Sequence, residues 1–127
     1  MNDTLGHDAG DDLLREVAER LRRGARSNDV VARLAGDEFV VLLTDLPATD
    51  AAPIAERVGR RFQAALSAPY ALRGAEFSTG ASIGVAVYPD HARDAASLVK
   101  AADMSMYAGK RAGAGRVSVA GACADAA

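Results

Sequence analysis

Between Ala9 and Arg26 the apolar residues Leu13, Leu14, Val17, Ala18, Leu21 and Ala25 recur at three- and four-residue intervals, while Arg15, Glu16, Glu19, Arg22 and Arg23 fill the opposite side. That period predicts an amphipathic helix. Asp29 to Leu34 and Glu38 to Thr44 are rich in Val and Leu and flank Ala35-Gly36-Asp37. Two such runs around a Gly-Asp turn predict a β-hairpin. Thr49 or Asp50 can cap a second helix that tolerates Pro53 in its first turn, buries Ile54, Val58, Phe62, Ala65 and Leu66, and stops before Pro69. Residues 70–79 read as an irregular short strand or hairpin arm. Ala81 to Tyr88 reads as a strand apolar on both faces, so helices must cover both sides or one side very closely. After a turn at Pro89-Asp90-His91, a third helix is predicted from Asp94 or Ala95 to about Ala112, with Leu98, Val99, Ala102 and Met106 inward. Arg116 to Ala120 is a last short strand.

The order of elements is α, β-hairpin, α, β, α, β, which predicts an α+β or α/β sandwich of one central sheet flanked by helices, with α+β the expected class. Residues 1–120 form the expected domain and 121–127 a tail or linker. The first helix has no strand before it, whereas the rest resembles a split β-α-β arrangement that begins with one. The expectation is an N-terminally truncated fold.

Composition narrows the function. The 127 residues suit one domain, and a net charge of −2 excludes a general pull toward a nucleic acid polymer or an anionic membrane. The longest apolar run, Val40 to Leu43, is far short of the roughly 20 residues of a membrane helix, so no membrane contact is expected from this segment. Cys123 is the single cysteine, and Met1 is followed directly by Asn-Asp-Thr without a secretory signal. A reduced, cytoplasmic setting is expected. Any anionic ligand must be held by a few placed residues.

The hairpin tip offers such a cluster. Gly36 permits the positive φ of a tight turn, and Asp37 and Glu38 set two carboxylates side by side. Hard oxygens in this arrangement suit Mg²⁺, which suits nucleotide phosphates. Taken alone, these residues fit an ordinary turn with a solvated Glu better. Residues 2–11, Asn-Asp-Thr-Leu-Gly-His-Asp-Ala-Gly-Asp, likewise read on their own as a polar loop with helix-capping candidates. His7 and His91 read as loop residues without a catalytic role.

In combination the segments say more. Asn-Asp-x-x-Gly-His-x-x-Gly-Asp, then Arg-Leu-Ala-Gly-Asp-Glu-Phe at 33–39, Ala-Ser-Ile-Gly-Val-Ala at 81–86 and Ala-Asp-Met-Ser-Met-Tyr at 102–107 together resemble the GGDEF family of diguanylate cyclases. The similarity runs from residue 1 to about 119. It implies a palm-like fold, ferredoxin-like and related to nucleotidyl cyclases, and the condensation of two GTP to cyclic di-GMP plus pyrophosphate by a homodimer. The resemblance makes Asp37 and Glu38 metal-binding and catalytic positions for Mg²⁺ or Mn²⁺. Gly36 lies in the same motif as a substrate-binding position, Asn2 and Asp11 match the guanine-reading pair, and Lys110 matches a phosphate contact. An amide and a carboxylate can both hydrogen-bond a guanine edge. Arg26-Ser27-Asn28-Asp29 stands at the family's spacing for an inhibitory cyclic di-GMP site, with Arg57 as its second arginine. A helix-end salt bridge is the alternative reading of Arg26 and Asp29.

Three departures from the family pattern stand out. Ala35 replaces the motif's first Gly, which a negative φ would tolerate. Ala114 and Gly115 follow Gly113 where the family has a basic residue and Asn, unless Arg111 or Arg116 substitutes. The family's first strand, with a metal-binding Asp and a Lys, lies upstream of the Asn-Asp pair. Weak activity of this chain alone, and association through an open sheet edge that includes strand exchange, are therefore expected. The alternative function is a non-catalytic regulatory module that binds GTP or cyclic di-GMP.

Overall fold

A computed structural model describes residues 2–113 and 115–120, with residues 2–9 described by backbone alone. The expected tail at 121–127, with Cys123, lies outside the described residues, as does Ala114. The elements are α1 (Asn2–Gly24), β1 (Val30–Ala35), β2 (Glu38–Leu42), α2 (Ala51–Ser67), β3 (Tyr70–Leu72), β4 (Ala75–Phe77), β5 (Ile83–Val85), α3 (Ala95–Ala112) and β6 (Val117–Val119). They form two compact units.

The first unit holds α1, the β1–β2 hairpin, the end of α2 and the β3–β4 hairpin. α1 begins at Asn2 rather than at Ala9, so the predicted loop at 2–8 is helical. No proline interrupts this stretch, and Gly6 and Gly10 each cost about 1 kcal/mol relative to alanine, well below the penalty of a proline. Leu21 of α1 is buried, as are Leu66, Tyr70 and Leu72. Arg20 projects from α1 over the Tyr70 ring at 3.6 Å and donates to the carbonyls of Ala65, Ala68 and Pro69. The Tyr70 hydroxyl donates to the Leu66 carbonyl, and burial raises its pKa. Arg73 and Gly74 both have positive φ, the geometry of a type I′ turn between β3 and β4.

In the second unit, β5 and β6 pair in parallel, Ile83 opposite Val117 and Val85 opposite Val119. Both faces of β5 are covered, as its apolar pattern predicts. On one side Gly84 meets α3 so closely that a Cβ would overlap the Ala102 carbonyl oxygen. On the other, the backbone of α2 at Gly59 lies against Val85 and Val117. α3 starts from a capping box in which the Ser97 N–H donates to Asp94 at 2.8 Å and the Asp94 N–H donates to the Ser97 hydroxyl. Val99, expected to point inward, is 40 % exposed; Gly109 is the buried position on this helix instead.

The α+β class predicted from sequence is the class observed. The pairing is finer-grained than one central sheet. Among the described residues, ladder hydrogen bonds join the strands two by two, as β1–β2, β3–β4 and β5–β6. β5 spans three residues rather than the eight of Ala81 to Tyr88, because the chain turns at residues 88–91 and is held there by the Val87 N–H, which donates to His91 Nδ1 at 2.8 Å.

Candidate active site

β1 and β2 meet at a two-residue turn, Gly36-Asp37, with Ala35 paired to Glu38. Gly36 has φ of 52°, a left-handed conformation that glycine adopts without steric cost. The positive-φ non-glycine residues among those described are Asp45 and Arg73, so Ala35 meets the condition under which alanine replaces glycine freely. Asp37 and Glu38 are both exposed. Arg33, three residues before Gly36, donates its Nε–H to the Gly36 carbonyl at 2.7 Å.

Beside the hairpin, a cavity of about 390 Å³ opens against α1, lined by Asp11, Leu14, Arg15, Arg22, Arg33 and Phe39 among others. Volume and lining, part apolar and part charged, suit a ligand of nucleotide size. Asp11 therefore stands on a concave surface that the hairpin also lines. Asn2 is the first residue of α1, placed by its backbone.

Arg26 and Asp29 bracket the turn between α1 and β1. The Arg26 N–H donates to Asp29 Oδ2 at 2.8 Å, and its Nη2 donates to Asp29 Oδ1 at 3.0 Å and to the Thr44 carbonyl at 2.6 Å. The Asp29 side chain is 3 % exposed and that of Arg26 51 % exposed. The guanidinium of Arg26 holds the Asp29 carboxyl below the usual aspartate range, against the opposing effect of burial. The salt-bridge reading of this pair is thus realised, with the guanidinium still half open to solvent. In the second unit Arg57 is exposed on α2, and Lys110 is exposed in the last turn of α3 beside Arg111. The Arg116 guanidinium packs against Gly113, at the same C-terminal end of α3 as Lys110.

Residues 1–116 match the family described as diguanylate cyclase, GGDEF domain. The chain belongs to the GGDEF-domain family. It is 47 % identical over 113 residues to the diguanylate cyclase TpbB of Pseudomonas aeruginosa, covering 87 % of this chain and 25 % of that protein. To the bifunctional diguanylate cyclase/cyclic di-GMP phosphodiesterase MucR of the same species it is 44 % identical over 110 residues, 87 % of this chain and 16 % of MucR. The chain thus spans a quarter or less of these relatives' length. The crystal structure of the TpbB GGDEF domain superposes with a TM-score of 0.83 at 44 % identity, covering 94 % of this chain and 73 % of that one. The GGDEF domain of DgcB from Caulobacter crescentus, solved in complex with c-di-GMP, gives a TM-score of 0.68 at 30 % identity, covering 93 % and 68 %.

The donor set of this GGDEF domain fits a divalent cation in one respect. Asp37 and Glu38 offer hard carboxylate oxygens at an open tip, and Mg²⁺ is commonly held by one or two carboxylates together with water and substrate phosphates. Among the described residues, no group of three His, Cys, Asp or Glu converges to form a complete metal cage. No helix among them is long and apolar enough to cross a membrane. Two arginines with placed roles escaped the sequence reading. Arg20 lies on the polar side of α1, where only its i+4 spacing from Glu16 marks it. Arg33 was read as part of a motif, and only its position three residues before the turn glycine hinted at a bond across the turn.

Proposed function

We propose that this GGDEF domain condenses two GTP into cyclic di-GMP and two pyrophosphates, working as a homodimer in the cytoplasm. The single observation that carries the reading is the Gly36-Asp37-Glu38 turn, with its left-handed glycine and two exposed carboxylates. Each 3′-hydroxyl attacks the α-phosphate of the other nucleotide; a new P–O bond forms as the bond to pyrophosphate breaks, and the hydroxyl proton leaves to a base. Mg²⁺ or Mn²⁺, when bound, neutralises charge on the phosphate oxygens. Asp37 and Glu38 would hold that ion, and their carboxylates would favour deprotonation of the hydroxyl. Asp11, on the cavity beside the hairpin, accepts hydrogen bonds from guanine N1–H and N2–H, and Asn2 completes the reading of the base. Lys110 contacts phosphate, and Arg116 at the same helix end substitutes for the basic residue the family places after Gly113. Two carboxylates alone hold a divalent ion weakly, so slow turnover is expected of this chain by itself.

The test is chromatographic detection of cyclic di-GMP after incubation of the chain at high concentration with GTP and Mg²⁺, beside Glu38→Gln. Slow product formation that falls about 100-fold or more in the variant is expected. Equal product from both proteins refutes the role of the carboxylates.

The half-exposed Arg26, already fixed by Asp29, favours a second reading in which the domain binds cyclic di-GMP as a regulatory module. Arg57, exposed on α2, is a further cyclic di-GMP contact in the proposal. Calorimetric titration with cyclic di-GMP separates the two. Binding that is lost in Arg26→Ala and unchanged in Glu38→Gln, without any turnover in the wild type, supports the regulatory module alone.

A further inference from the structure

The turn that bears Asp37 and Glu38 receives little support from packing. No atom lies within 4 Å of the place a Cβ would occupy on Gly36, and the turn residues are exposed. The strand leading into it is irregular. The ladder pairs Arg33 with Phe39 and then Ala35 with Glu38, so Leu34 is left over as a bulge and is 56 % exposed. An exposed two-residue turn next to a bulge has few contacts to select one conformation.

Arg33 supplies one. Its Nε–H bond reaches the Gly36 carbonyl oxygen, which belongs to the peptide group joining Gly36 to Asp37. Fixing that peptide plane removes one of the freedoms that set the direction in which the next two side chains leave the backbone. The other arginines around it behave differently. Arg15, Arg22 and Arg23 pair with a carboxylate, Arg20 and Arg26 with a carboxylate and backbone carbonyls, whereas Arg33 bonds a backbone oxygen and makes none of the ion pairs found among the described residues. The Nε–H bond ties the guanidinium to the turn's backbone.

We propose that Arg33 is a positioning residue, which locks the Gly36–Asp37 peptide so that the Asp37 and Glu38 carboxylates converge on one divalent cation. This rests on the metal-binding reading given above, and it assigns a function to a residue that holds no metal itself.

Mn²⁺ alone, followed by its electron paramagnetic resonance signal, titrates the chain and its variants without any need for turnover. Amide NMR spectra of residues 36–38 and thermal melts accompany each titration. Arg33→Ala and Arg33→Gln should weaken Mn²⁺ binding about tenfold, the range found for residues that orient metal ligands. The amide signals of Gly36, Asp37 and Glu38 should shift or broaden while the melting temperature stays within roughly 2 °C of wild type. Arg33→Lys, which can still reach one carbonyl, should recover part of the affinity. Wild-type affinity and unchanged turn signals in Arg33→Ala would overturn the proposal. So would a loss of affinity that follows a general loss of stability and that Arg33→Lys does not restore. Glu38→Gln serves as the separate control: if it binds Mn²⁺ as well as the wild type does, the metal-binding reading itself fails, whatever Arg33 does.

Discussion

Truncating Arg20 to alanine removes four hydrogen bonds and a cation–π contact from α1. Its guanidinium stacks 3.6 Å above Tyr70, donates Nη1 to the carbonyls of Ala65 and Ala68 and Nη2 to that of Pro69, each at 2.7 Å, and donates Nε to Glu16 at 3.2 Å. α2 ends at Ser67, so the acceptors lie at and just beyond a helix C-terminus, where carbonyls lack intrahelical donors and the dipole favours a cation. A hydrogen bond to a charged group contributes about 1.5–3 kcal/mol, but three made by one guanidinium are not additive. Ala65, Ala68 and Pro69 are exposed, so water replaces part of what is lost. Halving the sum of three such bonds and adding about 0.5–1 kcal/mol for the cation–π contact gives roughly 3–5.5 kcal/mol.

For a chain of this length that corresponds to a fall in melting temperature of about 10–25 °C. Urea titration followed by circular dichroism measures the free energy, and hydrogen exchange of the segment from Leu66 to Phe77 shows where it is lost. Because the chain forms two compact units, the local exchange measurement is needed to attribute the change to the first. Arg20→Lys should retain less than half of the stabilisation, because an ammonium cannot fork to three carbonyls while lying flat on a ring. The reasoning is refuted if Arg20→Ala stays within about 0.5 kcal/mol of wild type with exchange at Leu66 to Phe77 unchanged.

Two further outcomes follow from the packing and the charges. Gly84→Ala puts a methyl group into the Ala102 carbonyl and the backbone of Met106, so β5 and α3 must separate, at a cost of about 3 kcal/mol or more; wild-type urea stability in this variant would contradict the close approach. The Asp29 carboxyl titrates below its ordinary range because Arg26 bonds it, so its contribution is fully present above the unfolded aspartate pKa and is lost as pH falls through the depressed folded value. Asp29→Asn should accordingly flatten the fall in stability below about pH 4, and urea midpoints measured from pH 6 to pH 3 check this, an unchanged acid limb counting against it.

Features encoded locally were legible in the sequence. The start of α3 at Asp94 or Ala95, the stop before Pro69 and the Gly-Asp turn each act within a few residues, and each appears where the local chemistry puts it. The double-sided cover of β5 was legible too, since Ile83, Val85 and Val87 alternate with small residues that admit a helix backbone at Gly84. Boundaries set by competition were less so. Whether residues 2–8 are loop or helix turns on a balance between poor helix formers and the cooperative gain of extending a helix that already exists, and periodicity records only the second half of α1.

The functional residues divide along the same line. Asp37 and Glu38 are named by their own motif, since a turn glycine and two adjacent carboxylates are visible at a glance. What gives them a direction is a bond from Arg33, and what gives Arg26 a fixed pose is a carboxylate three residues on and a carbonyl eighteen residues on. Arginine is uninformative as a letter here, because the chain uses it on polar surfaces as readily as in placed roles. Its meaning comes from the acceptor it finds. Where the acceptor is a nearby carboxylate, as for Arg15 or Arg22, the arginine belongs to a solvated surface of modest energetic weight. Where it is a backbone carbonyl at a helix end or a turn, as for Arg20 and Arg33, the side chain fixes main-chain geometry. Stability in the first unit and, in the proposal, the aim of Asp37 and Glu38 therefore depend on two arginines whose partners only the fold reveals.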